Sequence, residues 1–144
     1  MEKKIFKFIS DFHQLRAKYP DEIPSYSQIY EKDKLVAECF NATESKNSYV
    51  QHSEILTLQN ANKKCKQFED SILLTTLEPC IMCAGAIINA RIHKIVYFAK
   101  AKSNEGISSF FPEMIYSQKF FPEIIFHENI AIQKIFKRFF LSKR

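Results

Sequence analysis

Two cysteines three residues apart, Cys80 and Cys83, follow Pro79, and a histidine and a glutamate two residues apart, His52 and Glu54, stand upstream. Residues three apart share one face of a helix, so both thiols can grip a single ion while His52 supplies a third ligand. Three protein ligands leave a tetrahedral zinc one open position, which separates a catalytic site, where water binds, from a structural site closed by four ligands. The ion implied is one Zn2+ per chain, and its charge would lower the pKa of a bound water toward ~7. Glu54 meets the remaining requirement, because a carboxylate beside that water can take its proton and return it to a ring nitrogen and then to a departing amine. These four residues read as the parts of a hydrolytic deamination at an amino-bearing ring carbon.

Two other readings of the thiol pair are weaker. A closed zinc knuckle needs a fourth ligand, and Cys65, His93 and His127 stand at no familiar zinc-finger spacing. A redox pair leaves Glu54 without a task. His13, His93 and His127 read as surface or satisfied interior residues, and Cys39 and Cys65 as free thiols.

The elements that must position the four residues follow from periodicity. Ile5, Phe8, Ile9, Phe12, Leu15 and Tyr19 fall at helical steps, predicting an amphipathic helix over residues 2 to 19 that Pro20 stops. Residues 26–30 and 34–40 predict a hairpin around Glu31-Lys32-Asp33, although Ser25 to Gln28 is a polar start for a core strand. A polar loop, 41–51, leads to His52 and a helix over 53–65. Ser71 to Thr76 is a short apolar strand that delivers Glu78-Pro79-Cys80, and Pro79 suits the first turn of a helix running to Ala90. There the positive end of the helix dipole favours thiolate, and Ala84, Gly85 and Ala86 are small enough for close packing. Strands over 92–98 and 122–126, a short helix over 110–119 and a closing helix over 130–141 complete the chain. Helices alternating with strands in the second half imply parallel neighbours covered on both faces, so the fold class is α/β, a three-layer α/β/α sandwich on a five-stranded mixed sheet.

At 144 residues, 46% hydrophobic and 14% aromatic, the chain suits one globular domain over residues 1–144 and is not a disordered sequence. Its opening, Met-Glu-Lys-Lys followed by an amphipathic run, is not a signal peptide, and no apolar run reaches the roughly 20 residues of a membrane span. A cytoplasmic protein with reduced thiols and no membrane partner is therefore expected. The net charge of +5 and pI near 9.0 permit an anionic partner, and the excess is concentrated in Lys134, Lys137, Arg138, Lys143 and Arg144. The plain alternative is a solvated helix face.

His-x-Glu followed by Pro-Cys-x-x-Cys is the pattern of zinc nucleobase deaminases, and the chain resembles the cytidine-deaminase-like superfamily. Within it, the block Thr76 to Ala86 resembles the bacterial tRNA-specific adenosine deaminases, as do Arg91-Ile92 before Val96-Tyr97 and Phe139-Phe140 before Lys143-Arg144. The resemblance implies conversion of the wobble adenosine of a tRNA anticodon loop to inosine by a zinc-dependent homodimer. A zinc deaminase of a free nucleobase, a nucleoside or another nucleic-acid site is the alternative. It further implies substrate contact at Asn41 and beside Ser53, and possible tRNA contact at Phe139, Phe140, Lys143 and Arg144, by stacking and phosphate pairing. Two departures stand out. The family's Pro-Val-Gly-Ala-Val is here Pro24-Ser25-Tyr26-Ser27-Gln28, so Tyr26 at a glycine position is expected to narrow the pocket, and His-Ala-Glu is here His52-Ser53-Glu54.

Overall fold

A computed structural model describes residues 1–110, 117 and 120–143. Its element order is α1 (Glu2–Arg16), β1 (Tyr26–Glu31), β2 (Lys34–Phe40), α2 (Ser53–Asn62), β3 (Ser71–Leu77), α3 (Ile81–Asn89), β4 (Lys94–Ala99), a 3-10 turn (Ile107–Ser109), β5 (Glu123–Phe126) and α4 (Ile130–Ser142). The strands form one sheet in the order β2-β1-β3-β4-β5. β1 runs antiparallel to β2 and β3, while β3, β4 and β5 are parallel, as the alternating second half predicts. Residues 111–116 and 118–119, which hold most of the expected short helix, lie outside the described residues.

The sheet separates two cores. Leu58 and Ala61 of α2 and Ala84 and Ile87 of α3 pack on Ile29, Leu73 and Ile95, and Phe8, Phe12, Ile132 and Phe136 of α1 and α4 pack on Tyr26, Leu74 and Val96. Three layers result. Each fully buried large apolar side chain contributes about 1.5–3 kcal/mol, which makes this two-sided burial the main force holding the helices to the sheet. Among the described residues no helix is long and apolar enough to cross a membrane.

Several expectations shift by a few residues, each for a local reason. α1 ends at Arg16, and residues 17–19 continue as single turns, with Lys18 N donating to Leu15 O and Tyr19 N to Arg16 O. Pro20 disfavours the helical region for the residue before it, so the ending falls short of the proline. Likewise α2 stops at Asn62, three residues early. Pro79 precedes the N-cap of α3, which is Cys80 in extended backbone, and does not lie in the first turn. α3 closes where Arg91 takes a left-handed φ of 57° and Ile92 N reaches back to Ile87 O. Gly85 permits no close approach, since a Cβ there would meet nothing within 4 Å.

The polar start of β1 is buried and satisfied. Strand residues alternate faces, so Tyr26, Gln28 and Tyr30 turn toward α1 while Ser27 and Ile29 turn toward α2. On the α1 side the Tyr26 hydroxyl donates to Glu38, and Gln28 Nε2 donates to Asp11 Oδ2 at 2.8 Å and to Tyr26 Oη at 2.8 Å. The Tyr26 ring, fully buried, stacks on Phe8 at 5.2 Å. It therefore packs on the α1 side of the sheet, and its edge lines a cavity of about 760 Å³ with Asn41, Gln51 and Leu56.

Candidate metal centre and active site

Two helix N-termini converge at the ends of the loops that follow β2 and β3. His52 is the N-cap of α2, with Ser53 and Glu54 its first two residues, and Cys80 is the N-cap of α3, with Cys83 three residues on. Positive dipole ends therefore face the place where a thiolate and a carboxylate are needed. Among the described residues, His52, Cys80 and Cys83 form a cluster whose ligand atoms all lie within 4.8 Å of one another. His52 Nδ1 stands 3.7 Å from Cys80 Sγ and 3.5 Å from Cys83 Sγ. A tetrahedral zinc with Zn–N near ~2.05 Å and Zn–S near ~2.3 Å requires nitrogen and sulfur about 3.6 Å apart. The donor set and its spacing thus fit one zinc ion.

Electrostatics favour thiolate at Cys80 and thiol at Cys83. The Cys80 thiol is pulled down to about 4, chiefly by the hydrogen bond from Cys83 and further by His52, against its burial. Cys83, fully buried, is pushed up by its hydrogen bond to Cys80, by burial and by the Glu54 charge. His52 is raised by Cys80 as hydrogen-bond partner, with Glu54 adding to it. Glu54, 3% exposed, is raised by burial, with its own backbone amide, His52 and Ser53 opposing. A carboxylate held above its usual range is better suited to hold a proton between taking and giving it. His52 and Cys80 are half-buried, while Cys83 and Glu54 are buried.

The remaining sequence-derived candidates divide. Asn41 is buried at the start of the loop to His52. Its Nδ2 donates to Glu22 Oε1 at 2.9 Å and Thr43 Oγ1 at 2.7 Å, and its Oδ1 accepts from Ser53 N at 3.2 Å. Ser53 is fully buried, and its hydroxyl donates to Glu54 Oε2 at 3.1 Å. Phe140 is 44% exposed and lines a groove of about 620 Å³ with Leu77, Lys100, Lys102 and Lys137. Phe139 lines a different concavity, beside His13, Arg16 and Tyr19, and Lys143 sits over its ring at 5.5 Å. The predicted aromatic and basic end is therefore split between two surfaces, and Arg144 lies outside the described residues.

Sequence reasoning assigned no role to Glu22, Glu78 and Gly106. Glu22 accepts from Ile23 N, Asn41, Thr43, Glu44 N and Ser45 N, fixing the start of the loop that leads to His52. Glu78, 4% exposed, accepts from Ala101 N at 3.1 Å and Ser108 N at 2.9 Å. Those bonds, a bridge between Cys80 and Gly106, and a 2.9 Å bond from Ile107 N to Pro79 O bind the loop after β4 to the N-terminus of α3. A glutamate immediately ahead of Pro-Cys was visible as a signal, but its partners lie more than 20 residues away and carry no local pattern.

Residues 14–99 match the family model of the cytidine and deoxycytidylate deaminase zinc-binding region. A tRNA-specific adenosine deaminase of Buchnera aphidicola is 35% identical over 83 residues, 56% of this chain and 55% of that one. A tRNA-specific adenosine deaminase of Aquifex aeolicus is 30% identical over 113 residues, 77% of this chain and 75% of that one. The match thus spans about half the length of the first relative and three quarters of the second. A protein solved in a study of A-to-I editing by tRNA deaminases at the wobble position of transfer RNA superposes with a TM-score of 0.70 at 24% identity, over 86% of this chain and 99% of that one. At that identity the superposition speaks to the fold, which is cytidine-deaminase-like.

Proposed function

Since this chain belongs to the cytidine and deoxycytidylate deaminase family, we propose that it hydrolyses adenosine to inosine at the wobble position of a tRNA anticodon loop. The observation that carries the reading is the three-ligand cluster of His52, Cys80 and Cys83 with the buried Glu54 against it. The likeness to tRNA-specific adenosine deaminases over 77% of the chain supports the choice of substrate.

Zinc held by His52, Cys80 and Cys83 supplies a Lewis acid that makes water acidic near neutral pH. Glu54 takes one proton from the attacking water and delivers it to the ring nitrogen as the C–O bond forms. It then carries the second proton from the new hydroxyl to the amine, which leaves as ammonia when the C–N bond breaks. The buried floor formed by Cys83 and Glu54 keeps bulk water from competing for those protons. A flipped base would enter from the half-buried side of His52 and Cys80. The Phe140 groove, rimmed by Lys100, Lys102 and Lys137, lies at the carboxyl ends of β3 and β4 and offers stacking and phosphate pairing to the flanking RNA. The enzyme works in the cytoplasm, where tRNA is found, as a homodimer.

Incubation of the zinc-loaded protein with its host tRNA pool, followed by sequencing for inosine, tests the reading. Inosine confined to wobble positions is the expected result. Its absence, together with ammonia release from cytosine, guanine or a nucleoside, would replace the substrate and leave the zinc chemistry in place.

A further inference from the structure

Three buried serines meet beneath the carboxylate that the mechanism uses. Ser53 Oγ stands 3.1 Å from Glu54 Oε2, 2.8 Å from Ser25 Oγ and 2.8 Å from Ser27 Oγ. Exposure is 0% at Ser53 and Ser27, 5% at Ser25 and 3% at Glu54, so no bulk water substitutes for these partners. The backbone of Ser53 is fixed as well, its amide donating to Asn41 Oδ1 at 3.2 Å and its carbonyl accepting from Thr57 Oγ1 at 2.7 Å.

A hydroxyl has one hydrogen and two lone pairs, and an ionised carboxylate can only accept. The Ser53 hydrogen therefore belongs to Glu54, and Ser53 receives from Ser25, while Ser27 shares its one hydrogen between Ser53 Oγ at 2.8 Å and Thr75 Oγ1 at 3.0 Å. Hydrogen bonds that run in one direction polarise one another, which makes Ser53 a stronger donor than a lone serine. The Glu54 carboxylate also meets its own backbone amide, so Ser53 is the second donor that limits its rotation. In the family pattern read from sequence, these three positions are Val, Ala and Ala, and here all three carry hydroxyls that touch.

We propose that Ser53 is a positioning residue for Glu54, pinning one carboxylate oxygen so that the other is presented to the metal-bearing side, with Ser25 and Ser27 setting the direction of the Ser53 hydrogen. The kinetic part of this inference rests on the tRNA reading above. The structural part does not.

The experiment uses the zinc-loaded full chain as wild type, Ser53→Ala, Ser27→Ala and the double variant. Turnover is measured on a tRNA carrying wobble adenosine, and zinc content and the crystallographic orientation of the Glu54 carboxylate are measured on the same preparations. Ser53→Ala is expected to lower kcat about 10-fold, the scale of one hydrogen bond to a charged group, with KM within about twofold and zinc content unchanged. In its crystal structure the Glu54 carboxylate should be rotated or split between two orientations. Ser27→Ala should cost about threefold, and the double variant should match Ser53→Ala alone, because Ser27 acts through Ser53. An unchanged Glu54 orientation in Ser53→Ala overturns the proposal whatever the kinetics, and so do losses from Ser27 and Ser53 that simply multiply. If wild type forms no inosine, the substrate reading fails, while the Glu54 orientation still decides this one. Should Ser53→Ala not fold, Ser25→Ala and Ser27→Ala carry the same test, and full kcat with an undisturbed Glu54 in both would overturn it.

Discussion

Alanine at Gly106 would press on the contact that binds the loop after β4 to the metal-ligating helix. A Cβ on Gly106 would stand 2.2 Å from Glu78 Cδ and 2.5 Å from each carboxylate oxygen, more than an ångström inside ordinary contact. The backbone there, φ −103° and ψ 162°, is open to any residue, so the cost is steric and not conformational. Glu78 cannot withdraw cheaply. It is 4% exposed and would give up its bonds from Ala101 N and Ser108 N. Each such bond to a charged acceptor contributes ~1.5–3 kcal/mol, so losing both costs about 3–6 kcal/mol. At roughly 3 °C per kcal/mol for a domain of this size, Tm should fall by about 10 °C or more. Zinc should also leave faster to a chelator, because the same loop holds Cys80 and Pro79. Thermal unfolding of wild type, Gly106→Ala, Glu78→Ala and the double variant checks the argument. With the carboxylate gone, the three atoms nearest the Cβ are removed, and Gly106→Ala should cost less in that background than in wild type. Equal costs in both backgrounds, or an unchanged Tm in the single variant, would refute the steric account.

Three further outcomes are expected. Glu54→Gln should retain one zinc per chain by metal analysis and lose about 10²–10⁴ in turnover, the usual weight of a general acid and base, and retained activity would remove Glu54 from the mechanism. Glu22 is raised by burial but lowered further by donors from Ser45, Asn41, Glu44 and Ile23, so its folded pKa lies below its ordinary value. Its stabilisation is present above the unfolded pKa near ~4.3 and disappears as pH falls through the folded value. The Tm gap between wild type and Glu22→Gln should accordingly be several degrees at pH 7 and close in acid, and a gap independent of pH would contradict the sign. Replacing Lys100 and Lys102 together by alanine should lower the slope of log affinity against log salt for tRNA by about 1–2, and an unchanged slope would clear the Phe140 groove of any part in binding RNA.

What could be read from sequence was whatever side-chain type and spacing spell out. His52, Glu54, Cys80 and Cys83 are the few residues able to do their tasks, and the helix and strand periods that place them survive small errors at the ends. Elements whose meaning depends on a distant partner were not legible. Glu78 and Gly106 are 28 residues apart and meet only because β4 runs parallel to β3 and its exit loop returns to α3. The partners of Asn41, Glu22, Thr43 and Ser53, are likewise spread over 31 residues of sequence and carry no local pattern. The C-terminal aromatic and basic run looked like one surface, but consecutive residues on a helix point about 100° apart, and Phe139 and Phe140 open onto different concavities.

The first strand shows how much rests on a single step of phase. Read without its faces, Ser25-Tyr26-Ser27-Gln28 is too polar for a core strand, and Tyr26 is the residue that draws notice. Alternation turns Tyr26 and Gln28 away from the metal ligands, to Glu38 and Asp11 under α1. The hydroxyls of Ser25 and Ser27 face Ser53 instead. Each polar side chain from Ser25 to Gln28 thus has a hydrogen-bond partner, so this polar start of the strand bears no unpaired desolvation cost. The two sets are also separable, because they lie on opposite faces and share no side chain. An apolar replacement on the α1 face should cost stability and leave turnover of the folded enzyme unchanged, whereas one on the α2 face should leave Glu54 loosely held. On the proposal above, the departures from the family pattern that bear on Glu54 are Ser25 and Ser27, on either side of Tyr26.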